Sequence, residues 1–148
     1  MPKRPDPERL AVWQSLLDAH ASVTARLARE LEVDHDMPFI WYQVLGRLHA
    51  AGGQLRMSEL ARRATINKSS LSRIIDRLED AGYVERAPSP DDARGQVAVL
   101  QRRGVEAWRA ATPTYLRGVQ REFASHLTES DVVALARVFA KVVAERDT

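Results

Sequence analysis

Residues 67–81 read Asn-Lys-Ser-Ser-Leu-Ser-Arg-Ile-Ile-Asp-Arg-Leu-Glu-Asp-Ala, a run of hydroxyls and cations threaded by aliphatic side chains. Serine hydroxyls hydrogen-bond to bases or phosphates, and an arginine can grip guanine through two parallel hydrogen bonds. Leu71, Ile74, Ile75 and Leu78 follow the i, i+3, i+4, i+7 pattern of an amphipathic helix over 68–81. At about 100° per residue, Ser69, Arg73 and Asp76 fall opposite that apolar arc, with Ser72 and Arg77 flanking it. Lys68 opens the helix, where unpaired backbone N–H groups already attract phosphate. A second set of such residues, Asp92, Arg94 and Gly95, lies in the polar stretch 88–95. An arginine at the tip of a projecting loop suits a minor groove, whose potential is most negative in narrow A·T tracts. Asp92 is expected to form an ion pair with Arg94 and fix its direction. By themselves, the helix also describes an ordinary solvated face and the loop an ordinary polar turn.

These side chains need a frame. Ser58 is expected to cap a short helix over 59–64, and Thr65-Ile66-Asn67 makes a tight turn into the helix that begins at Lys68. Gly82 stops that helix in the C′ position. Residues 83–86 and 96–100 read as two strands around the polar loop, a hairpin with a projecting wing. A short helix, a turn, a second helix with an outer face of small and cationic residues, then a wing, is a winged helix-turn-helix. Before it, Asp6-Pro7 begins a helix of about seven turns carrying Leu10, Trp13, Leu16, Leu17, Val23, Leu27 and Leu31. Pro38 opens another that Gly52-Gly53 ends, and Gln54-Leu55-Arg56 is long enough only for a short strand. After the wing, Val105, Trp108, Thr112, Tyr115, Val119 and Phe123 form a helical stripe with Pro113 inside it, where a bend is expected. Thr128-Glu129-Ser130-Asp131 then resembles a capping box, with Asp for the usual Glu, ahead of a last helix. The fold class is mainly α with a small β-hairpin. The expected boundaries are 1–36 for an N-terminal helix, 37–101 for the winged lobe (helix-turn-helix 58–81, wing 84–100) and 102–148 for the C-terminal helices.

Composition is consistent with this frame. The 148 residues carry 22 basic and 20 acidic side chains, so the formal charge is only +2. Ten basic residues against seven acidic ones fall between Gly53 and Gly104, and five cations against one acid between Arg62 and Arg77. A basic middle flanked by balanced ends points toward a polyanion. There is no cysteine, which removes disulfides, thiolate metal sites and thiol redox chemistry. No apolar stretch approaches the roughly 18 residues of a membrane span, and the charged start MPKRPDPERL is not a secretory signal. A cytoplasmic protein with no membrane partner is expected.

The runs Leu55-Arg56-Met57-Ser58-Glu59-Leu60-Ala61, Asn67 through Leu78, Gly82-Tyr83-Val84-Glu85-Arg86 and Asp91-Asp92-Ala93-Arg94-Gly95 together resemble the MarR family of bacterial transcriptional regulators. The most specific part is the D-x-R wing, followed by a strand and a new helix at Arg102-Arg103-Gly104. The resemblance extends over nearly the whole chain. It implies a homodimer joined through the first, fifth and sixth helices, most often a repressor, bound to a palindromic operator in double-stranded DNA. It further implies that Ser69, Ser70 and Arg73 lie at major-groove positions and Arg94 at the minor-groove position. With Asn67, Lys68, Arg77 and Gly95 these make up the expected DNA-binding set. A pocket for a small aromatic or anionic effector is implied as well, with Trp13, His20, Trp41, Tyr42 and Trp108 as candidate lining residues, although each aromatic reads first as plain core.

Other chemistries find little footing. Asp34-His35-Asp36 groups three potential metal ligands, but adjacent loop residues rarely converge on one ion, and His20, His49 and His126 have no ligand spacing. Neither a metal nor a cofactor is expected. No Gly-rich phosphate loop, G-x-S-x-G or paired carboxylate site suggests an enzyme. The rival reading is a winged-helix adaptor that binds protein rather than DNA, against which the clustering of Arg62, Arg63, Lys68, Arg73, Arg77 and Arg94 speaks.

Overall fold

A computed structural model describes residues 3–92 and 94–144; Ala93 of the wing motif and the outer ends of the two terminal segments (1–2 and 145–148) lie outside the described residues. The elements run α1 (Pro7–His35), α2 (Phe39–Ala50), β1 (Gln54–Arg56), α3 (Met57–Ala64), α4 (Lys68–Asp80), β2 (Val84–Pro88), β3 (Gln96–Leu100), α5 (Arg102–Glu122), a single 3-10 turn at Ala124–His126, and α6 (Glu129–Ala144). The chain divides into two units, Ala25–Tyr115 and the two terminal segments outside it.

The inner unit is the winged lobe. β3 is the central strand of a three-stranded antiparallel sheet, pairing Leu55 of β1 with Ala98 on one side and Arg86 of β2 with Ala98 on the other. The short run 54–56 is thus part of the wing sheet. Leu31, Val44, Leu45, Leu48, Leu60, Leu71, Ile75 and Leu78 are fully buried and, with Val84, Ala98 and Ala111, form one core. Each such aliphatic side chain contributes about 2 kcal/mol by leaving water, and the three from α4, with partly buried Ile74 packed against them, are the arc read from its sequence. The core therefore fixes which face of α4 is turned outward.

Local signals set the element ends. Asp6 Oδ1 accepts the Arg9 N–H at 2.8 Å and caps α1. Thr128 and Asp131 exchange bonds reciprocally, Thr128 N–H to Asp131 Oδ2 at 2.9 Å and Asp131 N–H to Thr128 Oγ1 at 3.2 Å, a capping box in which Asp suffices. The first of these bonds, with the threonine hydroxyl, holds the Asp131 carboxyl below the usual carboxylate range. Gly82 takes φ +76° after α4. α5 continues unbroken through Pro113, and the Thr112 hydroxyl donates to the Trp108 carbonyl at 2.8 Å in the turn before it.

Ser58 does not cap α3: the helix starts two residues earlier, at Met57, and Arg56 holds the cap position without a side-chain cap hydrogen bond. Extended strand β1 runs directly into the helix, leaving no room for a separate capping turn. At the other end Thr65 adopts φ 56°, ψ 47°. A β-branched residue in the left-handed region is strained by about 1–2 kcal/mol. Thr65→Asn keeps a polar side chain and tolerates this conformation, so it is expected to raise Tm by about 3 °C, corresponding to roughly 1 kcal/mol; a fall in Tm by calorimetry would refute the strain.

Candidate nucleic-acid interface

The interface grows from the turn between α3 and α4. Asn67 Oδ1 accepts the backbone N–H of Ser70 at 2.8 Å and the hydroxyl of Ser69 at 2.9 Å. This asparagine is the N-cap of α4 and fixes where the helix starts. Lys68, Ser69, Ser72, Arg73, Asp76 and Arg77 are all exposed, while Ser70 is half-buried at the edge of the core face.

Ion pairs sort the basic residues into two groups. Arg62 and Arg63 both bind Glu59 within α3, at 2.6 and 2.8 Å. The Arg62 and then the Arg63 hydrogen bonds pull the Glu59 carboxyl down to about 2, so it stays ionised across the neutral range and available to both cations. Arg102 pairs with Glu106 at 3.1 Å. By contrast, Lys68, Arg73, Arg77 and Arg94 have no carboxylate partner among the described residues. Four cations without a carboxylate partner thus stand together on α4 and the wing.

Arg86 is the residue that sequence reasoning missed. Counted there as one more cation, it is only 18% exposed in its side chain and joins β2 to α4. Its guanidinium binds Asp76 at 2.6 Å, Glu79, the Ser72 carbonyl at 2.9 Å and the Ser72 hydroxyl at 3.1 Å. Four acceptors on one planar fork pin α4 against the wing strand. The available signal was Asp76 and Glu79 at helical spacing on α4, ten and seven residues before a strand arginine.

The wing corrects one expectation. Asp92 does not form an ion pair with the Arg94 guanidinium: its carboxylate accepts the backbone N–H of Arg94 at 3.0 Å, and its carbonyl accepts that of Gly95 at 3.0 Å. A carboxylate two residues upstream closes an Asx turn more readily than it reaches along an arginine side chain. Gly95 sits so close to Ser89 that a Cβ would lie 3.2 Å from the serine Cβ. These contacts tie Asp92 to Arg94 and Gly95 and leave the Arg94 side chain exposed. Arg56 of β1 reaches Asp91 at 3.0 Å, a wing contact absent from the sequence reading. Between wing and helices lies a cleft of about 390 Å³ lined by Arg56, Ser58, Lys68, Ser72, Arg94 and Gln96 among others.

The aromatic residues separate. Tyr42 and Trp108 stack with centroids 6.0 Å apart, and Tyr42 meets Tyr115 at 4.6 Å with the rings tilted. Burial lifts the Tyr42 phenol above its ordinary value, against a hydrogen bond with Thr112 at 3.1 Å. These rings border a cleft of about 300 Å³ that also takes in Gln43, Gly46 and Arg47. Trp41 instead packs edge-on against Tyr83. Trp13 and His20 belong to the terminal unit, where both are exposed. His35 meets the Thr114 hydroxyl at 2.7 Å at the end of α1, and no group of potential metal ligands occurs among the described residues.

A family model described as MarR family matches residues 35–95. The solved structure of Sco3205, a MarR family transcriptional regulator from Streptomyces coelicolor in complex with DNA, is 34% identical, covers 98% of this chain and 91% of that one, and superposes with a TM-score of 0.87. The HTH-type transcriptional repressor IacR of Pseudomonas putida is 28% identical over 134 residues, which is 90% of this chain and 78% of that protein. The multiple antibiotic resistance protein MarR of Escherichia coli is 29% identical over 85 residues; the match takes in 57% of this chain and 59% of that protein's length.

Proposed function

The chain belongs to the MarR family of DNA-binding transcriptional regulators, and on that premise we propose that it binds a palindromic operator as a homodimer, acts as a repressor and is released by a small-molecule effector. The observation that carries this reading is the set of unpartnered cations Lys68, Arg73, Arg77 and Arg94, displayed on one helix and one wing with Ser69 and Ser72 between them. In this reading α4 enters the major groove and Arg94 the adjacent minor groove, as two elements of one rigid lobe. Ser70 and Gly95 stand at the margins of that surface, and Asn67 serves it by capping α4. The family and fold are those of regulators rather than enzymes, and the chain is read as non-catalytic. No helix among the described residues is long and apolar enough to cross a membrane, and the site of action is taken to be the cytoplasm, where bacterial DNA lies.

Two further parts of the proposal have separate support. The terminal unit exposes Leu10, Trp13, Leu16, Leu17, Phe123, Val132, Phe139 and Val142, an apolar surface that a second copy would cover. The first, fifth and sixth helices are then the dimerisation region, and two lobes about 34 Å apart would read successive turns of DNA. The cleft beside Tyr42, Trp108 and Arg47 offers flat rings and one cation to a small aromatic anion. A ligand favouring a lobe spacing unmatched to the operator would lower affinity by population shift.

Arg73→Ala is expected to remove about 1–3 kcal/mol of discrimination at one base position of each half-site. Competition binding with single-base operator variants checks this, and undiminished discrimination would place Arg73 outside the base-reading set.

A further inference from the structure

Arg56 and Asp91 are both well exposed, at 49% and 80% of their side chains, yet they join across 35 residues of sequence at 3.0 Å. Arg56 is the last residue of β1 and the cap residue of α3, so its backbone is fixed by the sheet on one side and the helix on the other. Asp91 lies in the loop that carries Arg94. The Arg56 side chain lines the same 390 Å³ cleft as Lys68, Ser58, Ser72, Arg94 and Gln96. That cleft runs between the leading end of α4 and the wing, the two elements read as entering neighbouring grooves. The strand backbone between those grooves must pass there.

We propose that this cleft is a phosphodiester site, and that Asp91 occupies Arg56 in the free protein as a stand-in for the phosphate. On binding, the guanidinium of Arg56 exchanges the carboxylate of Asp91 for a backbone phosphate beside Lys68. No bond is made or broken covalently, and one charge-assisted contact replaces another. A guanidinium serves either acceptor because its planar fork fits carboxylate and phosphate alike. The exchange also frees the loop that bears Arg94 from β1. An exposed ion pair is worth little in water, so the latch opens readily for a polyanion but shields Arg56 from weaker anions. The proposal rests on the DNA-binding reading and adds Arg56 and Asp91 to it.

The test is a double-mutant cycle on the full chain, with binding to a duplex from its own upstream region followed over a range of salt. Arg56→Gln is expected to weaken binding to all sequences alike and to reduce the slope of log K against log salt by about one unit per protomer. Asp91→Asn is expected to tighten binding several-fold, because Arg56 no longer has to leave a carboxylate. In the Arg56→Gln background the same Asp91→Asn change is expected to give no gain. If the gain persists there undiminished, Asp91 merely repels DNA and the exchange is wrong. If Arg56→Gln leaves both affinity and slope unchanged, the cleft holds no phosphate. Failure of wild-type protein to bind any duplex would instead sink the underlying DNA-binding reading, so the two failures are distinct. Both side chains are exposed, and unchanged Tm in each variant confirms that folding is not the cause.

Discussion

Replacing Arg86 with alanine is expected to lower stability by about 2 kcal/mol and DNA affinity by at least tenfold. The guanidinium is the common donor for Asp76, Glu79 and both oxygens of Ser72. Its loss leaves two carboxylates facing one another one helical turn apart on α4, with nothing to neutralise them. A hydrogen bond to a charged group is worth about 1.5–3 kcal/mol where it is shielded. Glu79 and Asp76 are partly solvated, at 32% and 61% exposure, which keeps the expected loss well below that of a fully buried ion pair. For a chain of this size the Tm should fall by roughly 4–8 °C. The functional loss arises because Ser72 and Asp76 flank Arg73: once α4 is free to shift against β2, the side chains meant for bases are no longer held in register. Arg86→Lys separates charge from geometry. A lysine restores one cation but cannot serve four acceptors, so it should recover part of the Tm and little of the affinity. Recovery of full affinity by lysine would show that only the charge matters.

Gly104→Ala should be the most damaging single methyl in the winged lobe, at about 3 kcal/mol. Alanine is ordinarily the better helix residue by about 1 kcal/mol, and Gly104 lies in the first turn of α5, so helix propensity alone predicts stabilisation. Sterics reverse the sign. A Cβ there would lie 2.3 Å from the Tyr83 carbonyl oxygen and 3.0 Å from Leu100 Cδ1. The Tyr83 carbonyl cannot simply withdraw, because it accepts the Gln101 N–H at 2.9 Å while the Tyr83 N–H is tied to Leu78 at 2.9 Å. α5 must back away from the strand ends or that ladder must break, the overpacking penalty of a rigid interior. Denaturant unfolding should show the midpoint fall; a midpoint that rises would mean α5 docks differently from the arrangement described.

Much of this was legible in the sequence because it depends on local patterns. The 3.6-residue spacing of Leu71, Ile74, Ile75 and Leu78 set the outward face of α4, and Asn67, Gly82 and the Thr128–Asp131 box marked helix ends through bonds spanning three or four residues. What escaped depends on contacts between elements. Arg56 with Asp91 and Arg86 with Asp76 join residues 35 and 10 apart, and periodicity holds no record of such pairs. The Ser58 cap failed for a related reason, since the strand entering α3 fixed the start of that helix before a side chain could. Net charge was similarly blunt. Only the ion-pair map showed that Arg62 and Arg63 pair with Glu59 while Lys68, Arg73, Arg77 and Arg94 have no carboxylate partner among the described residues.

These four unpartnered cations make up the proposed DNA-binding surface. Its most direct test is the affinity of the purified chain for duplex DNA from its own upstream region, measured between about 50 and 200 mM salt. The expected result is binding whose log K falls linearly with log salt, with a slope of several units that shrinks when Lys68 or Arg94 is neutralised. Absence of binding, or binding indifferent to salt and to these substitutions, would contradict it and favour a winged-helix adaptor whose partner is a protein.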